Sequence, residues 1–597
     1  MTAILPPATA IYPYQDPARP VDERVRDLLG RMTLEEKAGQ LFHAMTTLGD
    51  GGELADDRQR AFGGQTVRQM VTGKGMTHFN LIGAATAREM AEWHNRVQEL
   101  AAATRLGIPV TLSTDPRHAF TDNPGTGMAA GPFSEWPESL GLAAIGDPDL
   151  VRQYADTVRQ EYLAVGLRLA LHPQIDLATE PRWSRICNTF GEDADLTARL
   201  VVPYLHGLRG PGEELGPDSV SAVVKHFPGG GPQKDGEDPH FPYGQEQVYP
   251  GGFFDYHLAP FRAALAAGAT QMMPYYGKPV GTPYEEVAFG FNRGIVTGLL
   301  REELGFDGIV LSDWGIISDS DIMGEPHAAR AWGVESLSRH ERILKALDAG
   351  VDQFGGETCP ELVVDLVRDG RLPESRIDVS VGRLLTEKFR LGLFDDRRYV
   401  DPDHAEATVG HAEFRARGAA AQRRSVTLLK NTDSLLPLPG RPRLFLQGIA
   451  PGTAVAYGSP VDHPDEADLA ILRMDTPFEP RHGLFESFFR TGRLDVEPGR
   501  LAEILDLLDR VPTVVAIHLD RPAVIPEIAE RAHALLAVYG ASDEALLDVL
   551  FGRAAPEGRL PFQLPRSMDE VANGHPDVPE ESTDPVHPFG HGLTYGA

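Results

Sequence analysis

Residues 149–171 read DLVRQYADTVRQEYLAVGLRLAL: an amphipathic stretch of helical length, Asp149–Val165, that passes through one glycine into the short apolar run Leu167–Leu171. The same unit recurs on both sides. Apolar runs of strand length lie at His78–Ile82, Ile108–Ser113, Ser221–Val224, Gln271–Met273, Gly308–Leu311 and Val351–Phe354, with helical stretches such as His340–Leu347 between them. Strand–helix alternation sustained to about residue 355 predicts parallel βα units, and a closed barrel is the commonest way to arrange that many. The expected fold class is α/β: an N-terminal (β/α)8 barrel of the TIM type, followed by an open α/β sandwich domain.

Upstream, the proline-rich residues 1–20 read as a loose arm. A helix follows with Val25, Leu28, Leu29 and Met32 on one face, and Thr33-Leu34-Glu35-Glu36 fits a capping box that opens a second helix with Leu34, Ala38 and Leu41 inward. Downstream, the charged run Arg390–Arg398 and Asp401-Pro-Asp-His suit a linker. A helix around Ala412–Arg424 then leads into a second series, with strand candidates Val426–Leu429, Leu444–Leu446, Leu469–Leu472, Thr513–Leu519 and Ala534–Val538. The organisation expected is an arm at 1–20, a catalytic barrel at 21–395, a linker at 396–420 and an α/β sandwich at 421–597.

Composition removes several classes of function. With 86 acidic against 56 basic residues the net charge is −30, a field that repels phosphate backbones, so no nucleic acid partner is expected. Two cysteines exclude a disulfide scaffold and a cysteine-rich metal site. The opening residues carry no basic region followed by a long apolar core, and no apolar run has the length of a membrane span. No membrane partner and a cytoplasmic location are therefore expected.

Chemistry in βα architectures sits where strands end. Asp115, Lys225, His226, Tyr275, Tyr276, Asp313 and Trp314 all directly follow apolar strand runs, and Arg182, Trp183 and Arg185 lie in a loop after Leu167–Leu171. Carboxylates, cations and aromatics at one mouth suit a sugar: hydroxyls take charged partners, and a pyranose face takes an indole. Glycoside hydrolysis needs two carboxyl groups, and Asp313, beside Lys225, Arg185 or Arg182, is the nucleophile candidate. An aspartate in that place can also be a simple helix N-cap. Other features fit plainer roles. His78, His118 and His591 lack metal-ligand spacing, Gly229–Gly231 lacks the lysine and hydroxyl residue of a phosphate loop, and Phe485, Phe488 and Phe489 read as packing residues.

Lys225-His-Phe-Pro-Gly-Gly-Gly231 and Leu311-Ser-Asp-Trp314 resemble two signatures of the family 3 glycoside hydrolases. Gly107–His118, Arg182-Trp-Ser-Arg185 with Phe190-Gly-Glu-Asp193, Ser425–Asn431, Val549–Pro561 and Pro588–Tyr595 resemble further segments of that family in the family's order. The β-glucosidase and exo-glucanase branch is the nearest match. The resemblance implies a retaining mechanism with Asp313 as nucleophile. It also implies a first sugar subsite formed by Asp115, Arg185, Lys225, His226 and Tyr275 with Trp314 as a wall, and neither metal nor organic cofactor. The substrate implied is a small β-glucoside or an oligosaccharide.

The second carboxylate stays open. In that branch a glutamate of the second domain is the acid/base, and strict alignment puts Asp475 at its place. Glu479, four residues on and longer, is favoured slightly, then Asp475, then Glu486. A runner-up reading is an N-acetyl-β-hexosaminidase that uses Asp238 and His240 as an Asp–His pair, and a third is an inactive sugar-binding protein. The extra β-sandwich domain of many relatives is not expected after Tyr595, and a homodimer that completes the pocket is compatible with that.

Overall fold

The computed structural model describes residues 12–55, 65–125 and 127–595. Eight strands form one parallel sheet: β1 Phe42–Thr47, β2 His78–Ile82, β3 Thr111–Thr114, β4 Leu167–Ala170, β5 Ser221–Phe227, β6 Gln271–Pro274, β7 Ile309–Val310 and β8 Phe354–Gly355. They neighbour one another in sequence order, and β8 returns to pair with β1. A parallel bridge between Leu311 and Gln353, with Ser312 N donating to Gln353 O at 2.8 Å, joins β7 to β8 and closes the ring. The expected barrel is borne out.

One barrel strand is not among the runs picked from the sequence. Phe42–Thr47 follows the helix Leu34–Gln40 with only Leu41 between, so its apolar residues read as a continuation of that helix. The capping box is present: Glu36 N donates to Thr33 Oγ1, and Thr33 N donates to the Glu36 carboxylate at 2.9 Å. The floor of the barrel is closed by Lys388, whose buried ammonium donates to Thr77 O at 3.1 Å, Pro109 O at 3.0 Å and Thr111 Oγ1 at 2.7 Å.

The second sheet has six strands, β9 Thr427–Asn431, β10 Arg443–Gln447, β11 Ser459–Val461, β12 Leu469–Asp475, β13 Thr513–His518 and β14 Ala534–Val538, in the order β9-β14-β13-β12-β10-β11. All neighbours are parallel except β9 with β14. The sixth, β11, is a three-residue edge strand with Pro460 at its centre, a residue that breaks strand patterns and is tolerated only at edges. The central strands are buried on both faces, as parallel strands are. Val515 and Ile517 join an apolar cluster that runs on into the barrel helices, while Val514 and Ala516 join one beneath the helix Asp543–Leu550. Between the sheets, residues 396–420 carry the helix Pro402–Thr408, docked by Arg88 on Glu406, and the start of Ala412–Ser425.

Lys388→Met withdraws the ammonium from all three of these buried oxygens at once. The expected outcome is a loss of roughly 3 kcal/mol, read as a lower urea midpoint with unchanged slope.

Candidate active site

The C-terminal ends of the barrel strands open onto one mouth. Its floor is a buried apolar layer of Leu169, Leu171, Val223, Met273 and Leu311, with the Trp314 ring laid on it. That ring lies so close to β8 that a Cβ at Gly355 would come within 2.6 Å of it. Asp313, 8% exposed, lies three residues past the end of β7. Its Oδ1 accepts from Trp314 N at 2.8 Å; its buried Oδ2 has no hydrogen-bond partner and lies 3.9 Å from His226 Nε2.

His226 is oriented from behind. Its Nδ1 meets Asp176 Oδ2 at 2.7 Å, while the other Asp176 oxygen accepts from the amides of His226 and Gly230. Burial raises the Asp176 carboxyl to about 6 against the pull of these amides, and burial drives the His226 imidazole well below its ordinary value. The glycines that follow are set by space. A Cβ at Gly230 would meet the Tyr275 ring at 2.8 Å, and one at Gly231 would lie 1.8 Å from Leu177 O. Lys225 Nζ donates to Asp115 Oδ1 at 3.1 Å and Asn80 Nδ2 to Asp115 Oδ2 at 3.0 Å. Burial pushes the Asp115 carboxyl up, and Lys225 and Asn80 outweigh it, holding it below the usual range.

Tyr275 packs on His226 with ring centroids 4.3 Å apart and planes tilted by 34°, and donates to Asp238 Oδ2 at 3.3 Å. Asp238 also accepts from Trp183 Nε1, Ser184 Oγ and the backbone and ring of His240, the last at 2.6 Å. Burial opposes its charge, but His240 prevails and the carboxyl is held far down. The His240 ring packs on Tyr276 at 4.7 Å and on Phe489 at 4.9 Å. Buried Arg185 donates to Gln174 Oε1 at 3.1 Å. Its charge is opposed by burial and upheld by Tyr275, Asp238 and Asp313. Arg182 is not part of this group: both its Nε and Nη2 donate to Glu180 at 2.8 Å.

The second sheet brings its own strand ends to the barrel. Asp475 and His518 are the last residues of β12 and β13 and pair in register. His518 Nε2 lies 3.2 Å from both oxygens of Glu138, a barrel residue whose amide donates to Tyr539 O. His518 Nδ1 is 3.7 Å from Asp475 Oδ1, and Arg490 Nη1 is 3.5 Å from Asp475 Oδ2. Glu479 is placed differently. Its backbone bridges to Thr491 and its exposed carboxylate lies over Gly492, within its own loop. Glu486 accepts from Tyr243 Oη, and Arg481 pairs with Glu237 at 2.8 Å, so the 476–489 loop is fastened to the barrel rim. Phe485 and Phe489 pack on Phe241 there, and Phe489 also on His240.

Sequence reading passed over Asn80, Glu138, Asp176 and His518. Asn80 lies inside an apolar strand and His518 ends one, and polar residues at such places are a usable signal; Asp176 and Glu138 sit in irregular segments with no such mark. Among the described residues no group of acidic, histidine or cysteine side chains has metal-site geometry, and no helix is long and apolar enough to cross a membrane.

Comparison with known proteins gives a consistent result. Residues 33–387 match the model of the glycosyl hydrolase family 3 N terminal domain, and residues 498–595 that of the family's C-terminal domain. The chain is 55% identical over 590 residues to a probable beta-glucosidase C of Aspergillus flavus, covering 98% of this chain and 92% of that one. It is 43% identical over 608 residues to a periplasmic beta-glucosidase/beta-xylosidase of Dickeya chrysanthemi, covering 98% and 91%. In fold it is similar to a mutant exo-1,3/1,4-beta-glucanase of a Pseudoalteromonas species, with TM-score 0.77, 23% identity and coverage of 98% and 96%.

The contact between Glu138 and His518 has a defined pH window. Burial would strip the His518 proton, but Glu138 and then Asp475 reverse this and raise the imidazole from 6.5 to about 10. Burial likewise pulls Glu138 up, and His518 brings it below its ordinary 4.5. The stabilisation is complete between these ordinary values, fades as Glu138 protonates in acid, and is lost as pH rises through about 10. The Tm gap between the wild-type chain and His518→Gln is therefore expected to be widest from pH 4.5 to 6.5 and to close on both sides, by calorimetry across pH.

Proposed function

The chain belongs to glycosyl hydrolase family 3, and on that premise we propose that it acts as a retaining, exo-acting β-glucosidase on terminal non-reducing β-D-glucosyl residues. The names of its relatives support the substrate class, and one feature of the site carries the chemistry. Asp313 is a buried carboxylate at a strand end, with one oxygen fixed by the Trp314 amide and the other left without a partner, aimed into a mouth lined by hydroxyl-binding groups.

Asp313 Oδ2 attacks the anomeric carbon as the bond to the leaving oxygen breaks, giving a glycosyl–aspartate ester. A water then attacks the same carbon and frees Asp313. Asp115, Lys225, His226 and Arg185 are the partners for the glucosyl hydroxyls, and Trp314 is the apolar wall. Lys225 and Asp115 neutralise each other, so a sugar meets both an acceptor and a donor at one point. His226, kept neutral by burial and turned by Asp176, faces Asp313 without adding a full positive charge.

For the proton we favour Asp475 over Glu479. Asp475 stands at the C-terminal edge of the second sheet, where parallel sheets bind their ligands, and beside a residue that touches the barrel. Glu479 is turned onto its own loop. Asp475 protonates the leaving oxygen in the first step and takes a proton from water in the second.

The Asp238–His240 contact at 2.6 Å keeps a second reading in view, in which this pair carries the proton for an N-acetylhexosaminide. An aryl glycoside panel separates the two. The expected result is preference for glucoside over N-acetylglucosaminide; the reverse preference, lost in His240→Ala, supports the second reading. Asp313→Asn is expected to fold normally and to cut aryl β-glucoside hydrolysis by about 10⁴-fold or more. A deoxyfluoro glucoside trap should label the peptide that contains Asp313, and a label elsewhere removes the assignment.

A further inference from the structure

The mechanism above uses no residue of β13, yet His518, the last residue of that strand, is a buried imidazole between two carboxylates from different domains. Glu138 of the barrel takes Nε2 at 3.2 Å, and Asp475 of the second sheet lies 3.7 Å from Nδ1. A neutral imidazole offers a proton on one nitrogen only, so a ring with a carboxylate on each nitrogen is matched as the imidazolium. Its surroundings agree. Glu138, Asp475 and Asp520 raise its proton affinity against burial. In return His518, with Arg490 and Arg473, holds the Asp475 carboxyl below its ordinary value against burial.

We propose that His518 is the positioning residue for the proton-transfer carboxylate: held to the barrel by Glu138, it fixes Asp475 at the domain boundary over the mouth. The inference rests on the reading of Asp475 as acid/base.

Three observations carry it. First, the tie is built into the sheet. Asp475 and His518 are register partners, and Thr476, the next residue, donates from both N and Oγ1 to His518 O at 2.9 Å. Second, the anchor is itself held: Glu138 N donates to Tyr539 O at 3.0 Å, directly after β14. Third, Asp475 needs such an anchor. Its side chain is 58% exposed, and aspartate has one methylene less reach than glutamate, so its place relative to the glycosidic oxygen depends on what holds it. Arg490 flanks it on the other oxygen but is shared with Asp520 at 3.3 Å. The imidazolium keeps its proton through both steps. The proton that moves passes from Asp475 to the leaving oxygen, and returns to Asp475 from the attacking water.

The test compares the full-length wild-type chain with Asp475→Asn, His518→Gln and His518→Gly, on dinitrophenyl β-glucoside, whose leaving group needs no proton, and on methyl β-glucoside, whose leaving group does. Asp475→Asn should lose kcat/KM on the methyl glucoside and largely keep the first chemical step on the dinitrophenyl glucoside. His518→Gln should show the same selectivity, with a loss of about 100-fold on the methyl glucoside. Without the cation, Asp475 holds its proton more tightly, so the alkaline limb of kcat/KM should move up by about one pH unit. Added imidazole should restore His518→Gly. Glu138→Gln, which keeps the shape and removes the anchor's charge, repeats the test should a His518 variant fold poorly. If Asp475→Asn is selective while the His518 and Glu138 variants lose both substrates equally, or neither, the positioning role is overturned and the acid/base reading stands. If Asp475→Asn shows no selectivity, the acid/base reading fails and takes this inference with it.

Discussion

Four carboxylates, Asp115, Asp176, Asp238 and Asp313, share a mouth that is largely closed to water, and the rest of the site follows from how their charge is met. A buried carboxylate is costly unless it finds cations or several donors. Lys225 and Asn80 satisfy Asp115, and five donors converge on Asp238. Two backbone amides and an imidazole hold Asp176. Of the four, only Asp313 keeps an oxygen with no partner. The barrel has met the charge of the other three and left one carboxylate oxygen open, which is the atom the proposed displacement at carbon uses.

The glycine run after β5 belongs to the same economy of space. Asp176 reaches the amide of Gly230 because no side chain intervenes, and the backbone at Gly231 passes within van der Waals range of Leu177 only as glycine. The motif that looks like a phosphate loop is a packing device behind the histidine that faces Asp313.

Much of this was legible in the residues. Barrel strands with apolar runs bounded by polar ends, from His78–Ile82 to Gly308–Leu311, reveal themselves because their period and their termini agree. Phe42–Thr47 did not, since it abuts a helix of similar composition, and Ser459–Val461 did not, since its central proline argues against a strand. Asp115, Lys225, His226, Tyr275 and Asp313 are found together because each lies at or just past the C-terminal end of an apolar strand run. Arg182 stands in the right loop, but its Nε and Nη2 are turned to Glu180, two residues away, which the sequence did not signal. The proton donor was hardest to place. Residue type and reach favour Glu479, whereas strand register, invisible without pairing partners, sets Asp475 against His518.

The apolar cluster that joins Val515 and Ile517 of the second sheet to the barrel helices has a mechanical consequence. Two lobes that share one oily seam do not hinge apart without exposing it, so any opening at the domain boundary carries the cost of wetting that seam. The ribbon that bears Phe485 and Phe489 is held differently, moored to the barrel rim by a few polar fasteners such as Arg481 with Glu237.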